Sequence, residues 1–212
     1  IPITGRPVGW SEPFARDWPV DAIVAENGAV ALTTSPTGLQ PAPALRGALS
    51  KLYQQSDAVR AANFARMQQV AQRVLRDVPG ARLARDSAGR ETDIAIDHSE
   101  FAHLTPAQVE AVVRTMQAEG MTATVSSIHI NGWYGDHNKL DGARWIVRTL
   151  LGRALDAELQ RWVYVGDSTN DQLMFEHFPH SVGVANIRRF EAQLTHKPRY
   201  ITLGERGEGF AE

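Results

Sequence analysis

Val163-Tyr164-Val165-Gly166-Asp167-Ser168-Thr169-Asn170-Asp171 decides how this chain reads. An apolar, largely β-branched run stops at a glycine. Two carboxylates four positions apart follow, with an amide between them. Such a run predicts a buried parallel strand whose carboxyl end opens into a crevice, the place where open α/β sheets bind ligands. Asp167 then stands at the mouth. Oxygen ligands without cysteine favour a hard cation, and Mg²⁺ is held by one or two carboxylates together with waters and phosphate oxygens. Asp167, Ser168, Thr169 and Asn170 are also good helix N-caps, so a plain capped turn stays open on this stretch alone.

Composition narrows the function classes. The chain has 212 residues, 43% of them hydrophobic, which suffices for a real core in one domain or in a domain with an insertion. A formal net charge of -2 offers no broad basic field for nucleic acid. No apolar run approaches the ~20 residues that span a bilayer, so neither nucleic acid nor membrane is expected as a partner. The absence of cysteine excludes disulfides and thiolate metal sites. No leader pattern is visible at Ile1, and a cytoplasmic location is expected.

Outward from the 163–171 stretch, the chain alternates strands and helices. Ile1-Pro2-Ile3 reads as a strand end breaking into Thr4-Gly5-Arg6, and a helix is expected from Trp10 to Trp18. Ala22 to Ala25 and Ala29 to Leu32 are short apolar runs around Glu26-Asn27-Gly28, where Asn-Gly predicts a tight hairpin-like turn. Thr33 to Pro43 is rich in Thr, Ser, Pro and Gly and marks a boundary. Ala44 to Leu75 then reads as helix, with a break near Ser56-Asp57. Ala81 to Ala84 and Thr92 to Asp97 read as strands, and the alternation in Asp93-Ile94-Ala95-Ile96-Asp97 predicts a sheet with one wet face. Thr105 as N-cap and Pro106 open a helix that Gly120 closes, and Met121 to Ile130 supplies more strand. The middle of the chain is therefore expected to be helix-strand-strand, repeated once.

Lys139 precedes a helix predicted over Gly142 to Leu155. The helix macrodipole favours anions at that end, so a lysine there points to a bound anion such as phosphate, or else to an ordinary solvated surface lysine.

Taken together, Thr-Gly-Arg at a strand end, a lysine before a helix and Gly-Asp-x-x-Asn-Asp at a later strand end resemble, in that order, the haloacid dehalogenase superfamily of phosphatases. The resemblance covers nearly the whole chain and is closest to the Cof-like, sucrose-phosphate and mannosylglycerate phosphatase-like branch. Glu26-Asn27-Gly28-Ala29 is similar to that branch's turn before its inserted cap. It implies an α/β fold: a Rossmann-like core with a parallel sheet and an inserted α+β cap of repeated αββ type. The implied domains are residues 1–38 and 135–212 for the core and 39–134 for the cap.

The resemblance also implies roles. Thr4 and Gly5 would hydrogen-bond the phosphoryl oxygens, with Lys139 beside them and Asn170 in support. Asp167 would ligate Mg²⁺, and Asp171 would contribute to the metal from behind it. The phosphoryl-transfer transition state spreads charge over equatorial oxygens, which such groups offset. In this family the nucleophile is the first Asp of an Asp-x-Asp pair on a strand ahead of the Thr motif. Only three residues precede Thr4 here, and Asp93 and Asp97 fall within the insert. The natural product is therefore expected to be longer, with that strand and the nucleophile outside these residues.

Substrate choice is expected to lie with His129, Asn131, Trp133, Tyr134, Asp136 and His137, a mixture suited to a hydroxyl-rich ligand such as a sugar phosphate, or alternatively to interface packing. His98, His103, His177, His180 and His196 lack the spacing of a zinc site. Arg6 either reaches the site or pairs with a core carboxylate. Asn186, in a loop that resembles the family's next strand end, either supports the site or simply caps a turn. Three readings follow. The first is a Mg²⁺-dependent phosphatase acting on a small phosphorylated metabolite through an aspartyl-phosphate. The others are a phosphomannomutase-like phosphotransferase and a non-catalytic phosphate binder.

Overall fold

The computed structural model describes residues 1–35 and 48–212. Most of the Thr33 to Pro43 break, the boundary at residues 38 and 39 and the expected helical start at Ala44 lie outside the described residues. By packing, the chain divides into two units, residues 1–152 and 153–212.

In the first unit, Ile3 bridges Val24 in parallel. Helix α1 (Val8–Asp17) starts two residues ahead of the expected Trp10. Strands β1 (Ile23–Ala25), β2 (Val30–Thr33) and β3 (Ser50–Tyr53) form an antiparallel sheet in that order. Side chains alternate across it. Ile23, Ala25, Val30 and Leu32 pack with Val8 and Ala15 of α1, whereas Ala22, Val24 and Ala31 pack with Ile146 and Leu150 of α4 (Lys139–Leu151). Both faces of β1 and β2 are covered, which is why those two strands read as continuous apolar runs.

Ser50–Tyr53 was expected within a helix and is a strand. Its backbone pairs with β2 from Thr33↔Ser50 to Val30↔Tyr53, and this tertiary pairing overrides a helical pattern. The helix α2 (Asp57–Asp77) begins at the expected break, where Ser56 Oγ accepts from the Val59 amide.

After α2 come β4 (Arg82–Leu83), β5 (Ile94–Asp97), α3 (Pro106–Ala118), β6 (Thr122–Val125) and β7 (His129–Trp133), which is helix-strand-strand twice. The strands form an antiparallel sheet ordered β4-β5-β7-β6. Met67, Val70 and Val74 of α2 and Val112 and Met116 of α3 bury against Ile94, Ile96 and Ile130. Helix α3 has the capping box that Thr105 predicts, with Gln108 answering the cap. Its end is Gly120, at φ 78°.

The expected wet face of β5 is dry. Asp93 and Asp97 are 0% and 2% exposed. Asp97 accepts hydrogen bonds from the amides of Ser99, Glu100, Phe101 and Ala102, and these hold its carboxyl below the usual range despite burial. Charge on alternate positions here marks a capped turn and an ion pair rather than solvent.

Helix α4 starts three residues before the expected Gly142, because Asn138 Oδ1 accepts from the Asp141 amide at 3.0 Å. It stops at Leu151, short of the expected Leu155, because Gly152 turns left-handed at φ 63°.

In the second unit, β8 (Tyr164–Gly166), β9 (Ser181–Gly183) and β10 (Tyr200–Ile201) form a parallel sheet ordered β10-β9-β8. Helices α5 (Gln172–His177) and α6 (Arg206–Ala211) complete it, and Phe175, Ile187 and Leu194 pack with Tyr164 and Ile201. Among the described residues no helix is long and apolar enough to cross a membrane.

Ile130 has no exposed surface and sits where α2, α3 and β5 meet. Ile130→Ala is expected to lower the unfolding free energy by roughly 2–5 kcal/mol, read by urea denaturation. A loss within error of zero would contradict this account of the core.

Candidate functional site

Thr4, Gly5 and Lys139 all belong to the first unit, and one three-residue turn connects their surroundings. The Thr4 amide donates to Val24 O and the Asn27 amide to Thr4 O, both at 2.9 Å, while the Glu26 amide donates to Arg6 O at 3.1 Å. The strand end and its loop are thereby tied to Glu26–Gly28. Thr4 Oγ1 accepts from the Arg6 amide at 3.0 Å, which leaves its own proton available to a ligand.

The turn is strained. Glu26, Asn27 and Gly28 have φ values of 49°, 56° and 114°, all in the left-handed range. For residues with a side chain this conformation costs about 1–2 kcal/mol each. Tertiary contacts offset the cost. The Glu26 carboxylate, with no exposed surface, accepts from the amides of Val8, Glu91 and Thr92 and from the Thr92 hydroxyl. Burial and the nearby Asp93 carboxylate push Glu26 up to about 7, against the pull of those donors.

Gly28 meets the start of α4. A Cβ on Gly28 would lie 2.3 Å from Asn138 O, and one on Gly142 would lie 2.6 Å from the Gly28 Cα. Only two glycines permit this approach, and it places the turn against the helix end that carries Lys139.

Charge ties residues around β5 to the Thr4-Gly5-Arg6 loop. Arg90, 4% exposed, donates to Gly5 O at 3.0 Å and to both oxygens of Asp93 at 2.8 and 2.9 Å. Asp86 completes its shell, and Asn131 donates to Asp93 at 2.8 Å. Arg6 pairs with Asp86 at 3.3 Å and Glu100 at 3.4 Å, so it takes the carboxylate-pairing role.

The residues expected to select substrate are mostly engaged with one another and with nearby backbone. His129 is buried and 3.1 Å from Glu100, and burial lowers its pKa. Trp133 Nε1 donates to His137 O at 3.0 Å, and the Tyr134 hydroxyl donates to Glu119 O at 3.1 Å. His137 stacks on Trp133 at 5.4 Å, and its burial lowers its pKa to about 4. Asp136 is exposed.

In the second unit the loop after β8 assigns different work to its two carboxylates. Asp171 is 2% exposed and accepts from the amides of Asp167 and Ser168 at 2.9 and 3.0 Å and from the Tyr164 hydroxyl at 2.7 Å. A Cβ on Gly166 would stand 2.8 Å from that carboxylate, which explains the glycine. Burial and Asp171 push the Tyr164 phenol well up, so it remains a donor. Asp167 is half-buried beside an open cleft of about 300 Å³ lined by Val165, Val184, Arg206 and Phe210. Asn186 donates to Asp167 Oδ2 at 2.8 Å and accepts from the Arg206 amide at 3.1 Å. Asn170 Oδ1 accepts from the Ser168 hydroxyl at 2.7 Å.

Among the described residues no group of three His, Cys, Asp or Glu is placed to hold a metal. Asp167 alone fits a hard cation as one carboxylate ligand, since Mg²⁺ takes one or two carboxylates and completes its shell with waters and phosphate oxygens. Asp171 is held by the loop it organises.

The sequence marks Glu26-Asn27-Gly28-Ala29 as a turn and a point of resemblance, but not the side-chain roles of Glu26 and Asn27, and it does not mark Arg90 at all. Nothing local to Arg90 announces its partner at Gly5, 85 positions away.

Neither a protein-family model nor a curated protein matches the sequence. Solved structures do match the fold. The sucrose-phosphatase from Synechocystis, solved with sucrose and phosphate, is 12% identical, with TM-score 0.64 over 98% of this chain and 79% of that one. A haloacid dehalogenase-like hydrolase from B. subtilis is 14% identical, with TM-score 0.62 over 99% and 84%. A trehalose-6-phosphate phosphatase related protein is 15% identical, with TM-score 0.54 over 94% and 73%.

Two outcomes test the turn. Gly28→Ala is expected to cost at least about 2 kcal/mol more than Gly152→Ala, because both strain φ but only Gly28 faces backbone atoms. Equal losses in denaturant titrations would contradict the packing described. Glu26 binds its proton more tightly folded than unfolded, so its contribution is present below about pH 4.5 and is lost as pH rises toward about 7. Stability measured from pH 4 to 8 should lose this component of its pH dependence in Glu26→Gln, and an unchanged difference curve would refute it.

Proposed function

We propose that this chain, whose fold is that of haloacid dehalogenase superfamily members, is a Mg²⁺-dependent phosphatase that hydrolyses a phosphate monoester of a sugar or a similar small metabolite. The observation that carries this reading is the Glu26–Gly28 turn, which ties the Thr4-Gly5 loop and packs on the helix end bearing Lys139. Those are the groups that a phosphoryl oxyanion requires.

In this reading the Thr4 hydroxyl and Gly5 amide donate to phosphoryl oxygens. Lys139 places positive charge beside them, lowering the repulsion between an attacking carboxylate and an anionic ester. In the second unit, Asn170 is a further proposed phosphate-binding residue. Asp167, oriented by Asn186, supplies a carboxylate to Mg²⁺, while Asp171 holds the loop that presents it. When bound, Mg²⁺ would offset charge developing on the phosphoryl oxygens. The nucleophilic Asp is proposed to lie outside these 212 residues, ahead of Thr4, and to form an aspartyl-phosphate that water then cleaves.

Residues 1–38 and 135–212 are proposed as core and 39–134 as cap, with Ser50–Tyr53 returning to pair with β2. A phosphorylated sugar is favoured because a sucrose-phosphatase is among the proteins that share the fold. A cytoplasmic location is part of the proposal.

The test is phosphate release from a panel of sugar phosphates by the full-length gene product with Mg²⁺. Lys139→Ala and Asp167→Ala should each lower kcat/KM by roughly 10²-fold or more, and chelation should abolish turnover. No release from any substrate overturns the phosphatase reading. Activity that requires a bisphosphate activator would instead identify a phosphotransferase, and phosphate binding without turnover a binding protein.

A further inference from the structure

Asn27 is 2% exposed, yet its Nδ2 atom has no hydrogen-bond partner among the described residues. Buried donors are nearly always paired, so an orphan of this kind marks a place where a partner is missing. Its neighbourhood says what kind. The carboxamide lies against Gly5, where a Cβ would stand 3.0 Å from Oδ1 and 3.3 Å from Nδ2. The Asn27 backbone amide donates to Thr4 O at 2.9 Å, so side chain and backbone both face the Thr4-Gly5 loop.

Nearby acceptors are already engaged. The Glu26 carboxylate serves Val8, Glu91 and Thr92, and Gly5 O receives Arg90. The chain also holds Asn27 at φ 56°, a conformation that asparagine tolerates better than most residues. Glycine at position 5 makes room for that carboxamide, since a Cβ there would crowd Asn27 Oδ1 at 3.0 Å. A strained residue and an unpaired buried donor coincide at the loop proposed to receive phosphate.

We infer that Asn27 Nδ2 donates a hydrogen bond to an oxygen of the bound phosphoryl group, making Asn27 a binding residue beside Thr4 and Gly5. This rests on the phosphoryl reading of that loop. No covalent bond is made or broken.

Titration of the full-length protein with inorganic phosphate in the presence of Mg²⁺ tests it, with Thr4→Ala as the reference. Asn27→Gly keeps the left-handed backbone and removes the donor, and Asn27→Asp keeps the shape and replaces the donor by negative charge. Asn27→Gly should raise the phosphate Kd by roughly 5- to 20-fold and Asn27→Asp by more. In the unaltered protein, the Asn27 side-chain amide pair, observed by ¹⁵N NMR, should shift as phosphate is added. That measurement needs no variant to fold. If Thr4→Ala weakens phosphate binding while Asn27→Gly binds as the unaltered protein does and the amide pair does not move, the role of Asn27 is overturned and the loop reading stands. If neither Thr4→Ala nor Lys139→Ala affects phosphate, the loop reading itself falls, and this role with it.

Discussion

One buried carboxylate holds the first unit's functional geometry together. Glu26 gathers the amides of Val8, Glu91 and Thr92, which come from the start of α1 and the approach to β5. Those four donors, counting the Thr92 hydroxyl, allow the chain to hold consecutive left-handed residues that it would otherwise avoid. From that strained turn follow two placements, Asn27 against Gly5 and Gly28 against Asn138. A relaxed hairpin would join β1 to β2 equally well but would provide neither.

Charge around the turn has the same logic. Arg90 is fully enclosed, and isolation of such a cation would be prohibitive without Asp93 and Asp86 beside it. Removing one partner of a buried pair costs about 3–5 kcal/mol, more than deleting an exposed ion pair does. The network therefore constrains geometry: it ties the Gly5 carbonyl to β5 and ties Arg6 to Asp86 and Glu100. Asp93 is buried because it pairs with the arginine that holds the Gly5 carbonyl, whereas Asp97 is buried because it caps the turn after β5.

The loop after β8 separates two similar side chains by environment. Asp171 spends its oxygens on two amides and a tyrosine hydroxyl, and that rigidity sets the direction of Asp167. Asp167 retains partial exposure and a single orienting amide from Asn186. A carboxylate already surrounded by donors is a poor metal ligand; a half-exposed one beside a cleft is a suitable one.

Local pattern settled much of this protein. The helix-strand-strand repeat, the Thr105 capping box, the β1–β2 hairpin and the short apolar strand ending at Gly166-Asp167 were all legible, because periodicity and capping act over a few residues. The order of Thr4, Lys139 and Asp167 along the chain was legible too, and it pointed to the fold that solved structures share. Strand β3 was not, since its only reason to be extended is the edge of β2. Nor was the dry face of β5, where alternation is the same whether the second face meets water or Arg90. The roles of Glu26, Asn27 and Arg90 belong to tertiary structure alone: hydrogen bonds across 65 and 85 positions, and a backbone approach that only paired glycines permit, leave no periodic trace in sequence.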